Sequence, residues 1–294
     1  MITIPHAELL RVALSHCLAR AGLDRPGHRY RAWGSVQVRD GVFHLQHVGI
    51  QTHSHLTFPV EGSESIAVTA ELLLLHKSLA ASRQGPATLT ISEAHVSLSY
   101  DTVTATIPTV TGTIPVFDPP VETAEPVALP CPELLSALAQ WSLADRATPP
   151  VLHLCRHRAT SMWAIHRTGI MRCQSNPLSE PVDASHLAVP AGCWTGWRTP
   201  TAYAPTERHV RLSTVMPIKA VDKHASPWSL HVDMWVPRID SPFPPIRSLL
   251  TDVGLDWTGP REALLQAVHA VAALTDKTLN AVTIQTDGAG TAVV

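Results

Sequence analysis

Ala7, Leu10, Leu14, Cys17, Leu18 and Ala21 recur at three- and four-residue steps. That spacing predicts an amphipathic helix, with Arg11 and Arg20 off its apolar face and Gly22 ending it. Thr3-Ile4 before it reads as a short strand. Beyond Arg25-Pro26 the period changes to two: Val36 and Val38 alternate with polar residues, Asp40-Gly41 supplies a hairpin turn, and Val42 to Gln46 and Ile50 to Phe58 continue as strands. The predicted order is strand, helix, three strands.

The same order then returns. Ser65 to Val68 reads as a strand, Ala70 to Ala81 as a helix, and Ala87 to Ile91, His95 to Tyr100 and Thr102 to Ile107 as strands. After a linker over 116 to 126, a helix over Pro132 to Leu143 precedes strands near Val151 to Cys155, Thr160 to Ile165 and Gly169 to Gln174. A fourth copy starts at Ala188-Val189-Pro190, where Pro200 and Pro205 shorten any helix over 191 to 203. Its strands are expected at Val210 to Thr214, Trp228 to Val232 and Met234 to Val236. A fifth begins at Pro260, with Leu264, Leu265, Val268, Val271 and Leu274 on one helix stripe and a strand at Ala281 to Gln285. The helix starts repeat as words: Glu8-Leu9-Leu10, Glu71-Leu72-Leu73 and Glu133-Leu134-Leu135 stand 63 and 62 residues apart. Ile107-Pro108 to Ile114-Pro115 echoes Val236-Pro237 to Pro242-Phe243-Pro244 at 129 residues, so half-modules of about sixty residues pair into modules.

Composition narrows the function. With 294 residues, 45% of them hydrophobic, the chain has material for two domains or slightly more. No apolar run is long enough for a bilayer span and no export signal is evident, so a cytoplasmic protein without membrane contact is expected. Five cysteines without CxxC spacing fit reduced thiols. A net charge of −2 means that attraction to nucleic acid must come from local arrangement.

Candidate chemistry is sparse. His153, Cys155 and His157 alternate on a predicted strand and share one face, as a metal site requires. The 17 histidines are scattered, however, His53 and His55 show the same spacing, and no fourth ligand is evident, so no metal is assigned. Glu8, Glu71 and Glu133 fall in first helical turns, where they serve the helix dipole. GxSxG, Walker A and GxGxxG patterns are absent, and neither enzymatic activity nor a cofactor is expected.

The hairpin Val36 to Leu45, the Glu-Leu-Leu helix starts, Ile107-Pro108 with Ile114-Pro115, and the run Phe243 to Leu250 together resemble the bacterial DNA polymerase III β sliding clamp family. The resemblance implies an α+β DNA clamp fold of strand-helix-three-strand half-modules, antiparallel sheets outside and helices on the inner face. It places domains at 1–118 and 123–250 and a partial third, of a C-terminally shortened relative, at 255–294. It implies a non-enzymatic processivity factor that encircles or tracks duplex DNA without sequence specificity. The partners it implies are a replicative polymerase and clamp loader, in a homo-oligomer with a dimer favoured. Phosphate contacts then fall to Arg11, Arg20, Arg25, Lys77, Arg83, Arg146, Arg198 and Lys277, on or beside successive helices. The family's peptide cleft maps to Ile170, Pro244 and Leu249, while Ile165-His166-Arg167-Thr168-Gly169 stands where the family has a Thr-Asp-Gly-His-Arg turn. The alternative is a non-encircling clamp-fold interaction module that binds a host clamp, clamp loader or polymerase.

Overall fold

A computed structural model describes residues 2–21, 33–49, 52–62, 66–79, 85–100, 102–110, 117–130, 132–143, 150–166, 169–180, 182, 184–194, 200–218, 228–243, 261–272, 285–286 and 292–293. The first half-module is β1 (Ile2–Ile4), α1 (Ala7–Ala21), β2 (Trp33–Arg39), β3 (Val42–Val48) and β4 (His53–Pro59). The apolar stripe of α1 is why it forms there: Leu10, Leu14 and Cys17 are buried on the sheet. Asp40 and Gly41 both have positive φ, 52° and 72°, the geometry of a two-residue hairpin turn between β2 and β3.

The second half-module, β5 (Ile66–Glu71), α2 (Leu72–Ser78), β6 (Ala87–Ile91), β7 (His95–Tyr100) and β8 (Val103–Val110), repeats the order. Here α2 starts two residues later than the expected Ala70. β5 runs on through Glu71 because Gly34 and Trp33 of β2 continue the ladder opposite Ala70 and Glu71. Gly34 makes this junction possible, since a Cβ there would lie 2.7 Å from the Gln46 carbonyl oxygen and from Leu72 Cδ1.

The third and fourth half-modules are β9 (Val127–Ala128), a 3-10 turn at Pro132–Leu134, α3 (Leu135–Leu143), β10 (Val151–Arg156), β11 (Thr160–His166) and β12 (Gly169–Gln174), then β13 (Ser185–Pro190), a 3-10 turn at Ala191–Trp194, β14 (Ala202–Pro205), β15 (His209–Ile218) and β16 (Trp228–Pro237). Four expectations are corrected. The helix start at Pro132 is a 3-10 turn, and the fourth copy has a 3-10 turn where a short helix was expected. Trp228 to Pro237 is one strand of ten residues, and Ala202–Pro205 is a strand that Pro205 obscured, tolerated because β9 pairs only with Ala202 and Tyr203, so the ladder on that edge of β14 ends before Pro205.

One 12-stranded sheet runs β1-β6-β7-β8-β5-β2-β3-β4-β16-β15-β14-β9, beside a four-stranded sheet β12-β11-β10-β13. The internal symmetry is legible in that order: β1-β6-β7-β8 corresponds to β9-β14-β15-β16, and β5-β2-β3-β4 to β13-β10-β11-β12. The modules join where β4 pairs antiparallel with β16. Leu56 lies opposite Val232 there, both buried, and α1 packs against β3, β4 and β16. Residues opposed across a ladder share a face, so His55 with Asp233 and His53 with Trp235 mark the other side.

Residues Met1–Phe243 form one compact unit and Pro244–Val294 a second. In the second, α4 (Arg261–Ala272) falls where the fifth copy's helix was expected, and β17 (Gln285–Thr286) pairs with β18 (Ala292–Val293). The rest of that copy's expected strand, 281 to 284, lies outside the described residues.

Candidate nucleic-acid interface

The helices pack in pairs, α1 with α2 and α3 with the Ala191–Trp194 turn. A hydrogen bond between Ser15 and His76 (Oγ to Nε2, 2.8 Å) ties α1 to α2. Ser15 is one turn beyond Arg11 and His76 precedes Lys77, so two of the predicted phosphate contacts stand on one paired-helix surface.

Their electrostatics differ. Arg11 is 42% exposed and forks onto Glu8, its Nε donating at 2.6 Å, and this hydrogen bond raises the guanidinium pKa despite partial burial. Glu8 thus serves Arg11 as well as the dipole. His6 accepts the Glu8 backbone N–H through Nδ1 at 3.2 Å, as a helix cap would. Lys77 is exposed in the last turn of α2, the favourable end for a cation, with Leu73 (37%) and Leu74 (39%) also reaching solvent. Of the other predicted cations, Arg20 lies in α1 with its side chain outside the described residues. Arg25, Arg83, Arg146, Arg198 and Lys277 lie outside them altogether. In the peptide-cleft set, Ile170 pairs with Ile165 in the β11–β12 ladder, and Pro244 and Leu249 are outside the described residues.

The His153, Cys155, His157 triplet is engaged elsewhere. His153 Nδ1 is 2.9 Å from His186 Nε2, and His157 Nδ1 donates to the Val182 carbonyl at 2.8 Å. Burial lifts the Cys155 thiol to about 11. Among the described residues no group of three or more His, Cys, Asp or Glu side chains could hold a metal ion.

A histidine seam lies where the modules meet, unannounced by any local sequence pattern. His44 Nδ1 and His55 Nε2 are 3.0 Å apart, His55 stacks on Trp235, and His53 stacks on Phe117 with His209 at its edge. Phe117 belongs to the stretch expected as a linker, yet it packs on Trp235 at 5.1 Å. Burial is the first cause that lowers His53 and His55 to about 4, with His209 and His47 adding to it at His53 and His44 at His55. The alternation of β3 and β4 places these rings on one face, but only the β4–β16 pairing brings Trp235 to them.

No family model and no curated protein matches this sequence. Solved structures do. A DnaN sliding clamp (DNA polymerase III subunit beta) from Pseudomonas aeruginosa, bound to griselimycin, superposes with a TM-score of 0.70 at 15% identity, over 97% of this chain and 77% of that one. A putative DNA polymerase III beta subunit from Eubacterium rectale gives 0.69 at 11% identity, over 94% and 76%. The Helicobacter pylori beta clamp, bound to a DNA ligase peptide, gives 0.66 at 11%, over 94% and 77%. No helix among the described residues is long and apolar enough to cross a membrane. With its paired-helix modules, its internal symmetry and this likeness over nearly all of its length, the chain has the fold of the bacterial DNA polymerase III β sliding clamp.

Proposed function

We propose that this protein is a sliding-clamp-like processivity factor, a non-enzymatic homo-oligomer, dimer favoured, that tracks duplex DNA for a replicative polymerase loaded by a clamp loader. The observation that carries this reading is the duplicated module with paired helical elements on one side of its sheet. Cations on such helices meet phosphates without reading bases, so binding is salt-dependent and indifferent to sequence. Lys77 contributes directly. Arg11 must first exchange Glu8 for a phosphate and contributes less. Arg20, Arg25, Arg83, Arg146, Arg198 and Lys277 complete the proposed cationic wall, and Ile170, Pro244 and Leu249 the proposed grip on polymerase peptides.

Retention on nicked circular DNA, lost on linearisation, is the expected behaviour. Reversal of three charges (Arg20→Glu, Arg25→Glu, Lys77→Glu) should weaken association at low salt and flatten the slope of log affinity against log salt by about 3. Unchanged retention removes these residues from the interface. A second reading, a clamp-fold interaction module, is favoured by the exposed Leu73 and Leu74 beside Lys77. Capture of a polymerase peptide or a second clamp without DNA would select it.

A further inference from the structure

The four-stranded sheet of the second module has two unlike faces. Leu152, Leu154, Met162 and Ala164 are buried on the side where α3 packs. Alternation sends His153, Cys155 and Trp163 to the opposite side, where the ladders set His186 beside Cys155 and Arg172 beside Trp163. A cavity of 430 Å³ lies at the β10–β11 turn end of this face, within the range of ligand sites. Its apolar lining is Cys155, Ala159, Ala184 and Phe243, and its cationic lining is Arg156, Arg158 and Arg172. No carboxylate is among the described lining residues, and among the described residues neither Arg158 nor Arg172 has an ion pair. In a chain of net charge −2 this is a local excess of cations around an apolar hollow.

The site is held in shape before any ligand arrives. The Arg172 guanidinium lies 4.5 Å from the Trp163 ring centroid, and Trp163 Nε1 donates to Ser161 Oγ at 2.9 Å. Phe243 meets Trp163, His153 and His186 edge-on at 5.7, 5.5 and 5.4 Å. With its pKa raised by burial, the Cys155 thiol stays protonated at neutral pH and acts as apolar floor. Trp163 is already taken up by Arg172 and Phe243, which favours a carboxylate ligand over a stacked base.

We propose that this face binds a short acidic peptide segment, a carboxylate meeting Arg158 and Arg172 while a neighbouring apolar side chain enters the cavity. The site shares no residue with the proposed peptide cleft: on β12, Arg172 and Gln174 stand two and four strand positions from Ile170, about 7 and 13 Å, and Phe243 precedes Pro244 in the chain.

Fluorescence anisotropy with a fluorescein-labelled peptide of alternating glutamate and leucine tests this, against the same peptide with glutamine for glutamate. The acidic peptide should bind saturably, and the neutral one at least about tenfold more weakly. Arg158→Glu with Arg172→Glu should cost at least about tenfold, while Arg158→Lys with Arg172→Lys keeps most of the affinity. Ala184 is exposed outside the strands, so Ala184→Trp fills the cavity without disturbing the fold and should weaken binding with no change of charge. Retention on nicked circular DNA stays intact in these variants, which separates this site from DNA tracking. Equal affinity for both peptides, indifference to charge reversal, or a thymidine oligonucleotide that binds this face more tightly than the peptide each overturns the proposal.

Discussion

In the first module the two half-sheets fuse through β5 and β8, with Thr69 opposite Val110 and Ala70 opposite Thr109, whereas in the second β13 and β16 touch without forming a ladder. A backbone hydrogen bond from Ile239 N–H to the Ala188 carbonyl (2.9 Å) stands just past the end of β16 instead. The helical elements differ in parallel: α2 completes about two turns, while its counterpart after Pro190 is a 3-10 turn. The cores differ too. Phe43 and Phe58 stack at 4.7 Å in the first module, where Leu152, Leu154 and Met162 fill the second. A duplicated pattern therefore sets the order of elements but leaves the closure of each copy to its own side chains.

That contrast can be broken from several directions. Phe58→Ala removes half of the aromatic stack and should cost about 3–5 kcal/mol. Its denaturant curve should remain a single transition, since β4 and β16 continue one sheet across both modules; a first-module transition that shifts alone would show that the modules unfold independently. Gly34→Ala forces a Cβ against the Gln46 carbonyl and Leu72 at the β5–α2 junction, and should cost about 1–3 kcal/mol in thermal unfolding. Gly192, in the 3-10 turn of the second module, is under no such constraint, since an added Cβ there meets nothing within 4 Å.

The seam between the modules responds to acid. His53 and His55 titrate near 4 in the fold against 6.5 for a free histidine, so the unfolded chain takes up protons first as pH falls. Their contribution is complete above pH 6.5 and is lost as pH drops toward 4. The urea midpoint should fall over that window, and His53→Gln with His55→Gln should flatten the dependence. The smallest effect belongs to the helix pair: Ser15→Ala removes the tie to His76 and should cost about 1 kcal/mol, read as a shift in urea midpoint.

Much of this architecture was legible because period and punctuation carry it. The apolar stripe of α1 and the alternation of β6, β7 and β12 give elements at the expected residues. β14 was not legible, since a four-residue strand ending in Pro205 has neither the length nor the pattern to announce itself. Neither was the 3-10 character at Pro132 and Ala191, where hydrogen-bond spacing depends on how tightly the turn packs. At the proposed DNA face, sequence placed Lys77 on a helix surface, but nothing local revealed that Arg11 is engaged by Glu8 or that His76 reaches Ser15, 61 residues away.

The amino-acid sequence alone determined the repeat, the strand and helix faces and the helix positions of Arg11, Arg20 and Lys77, because each follows from spacing within a few residues. Tertiary structure decided the rest: that β4 meets β16, that four histidines and two aromatic rings gather at that seam, and that Arg172, Trp163 and Phe243 frame a cavity on the second module. Those arrangements join residues tens to nearly two hundred positions apart. Local pattern fixes which face a side chain takes, and only long-range strand pairing fixes which neighbours share that face.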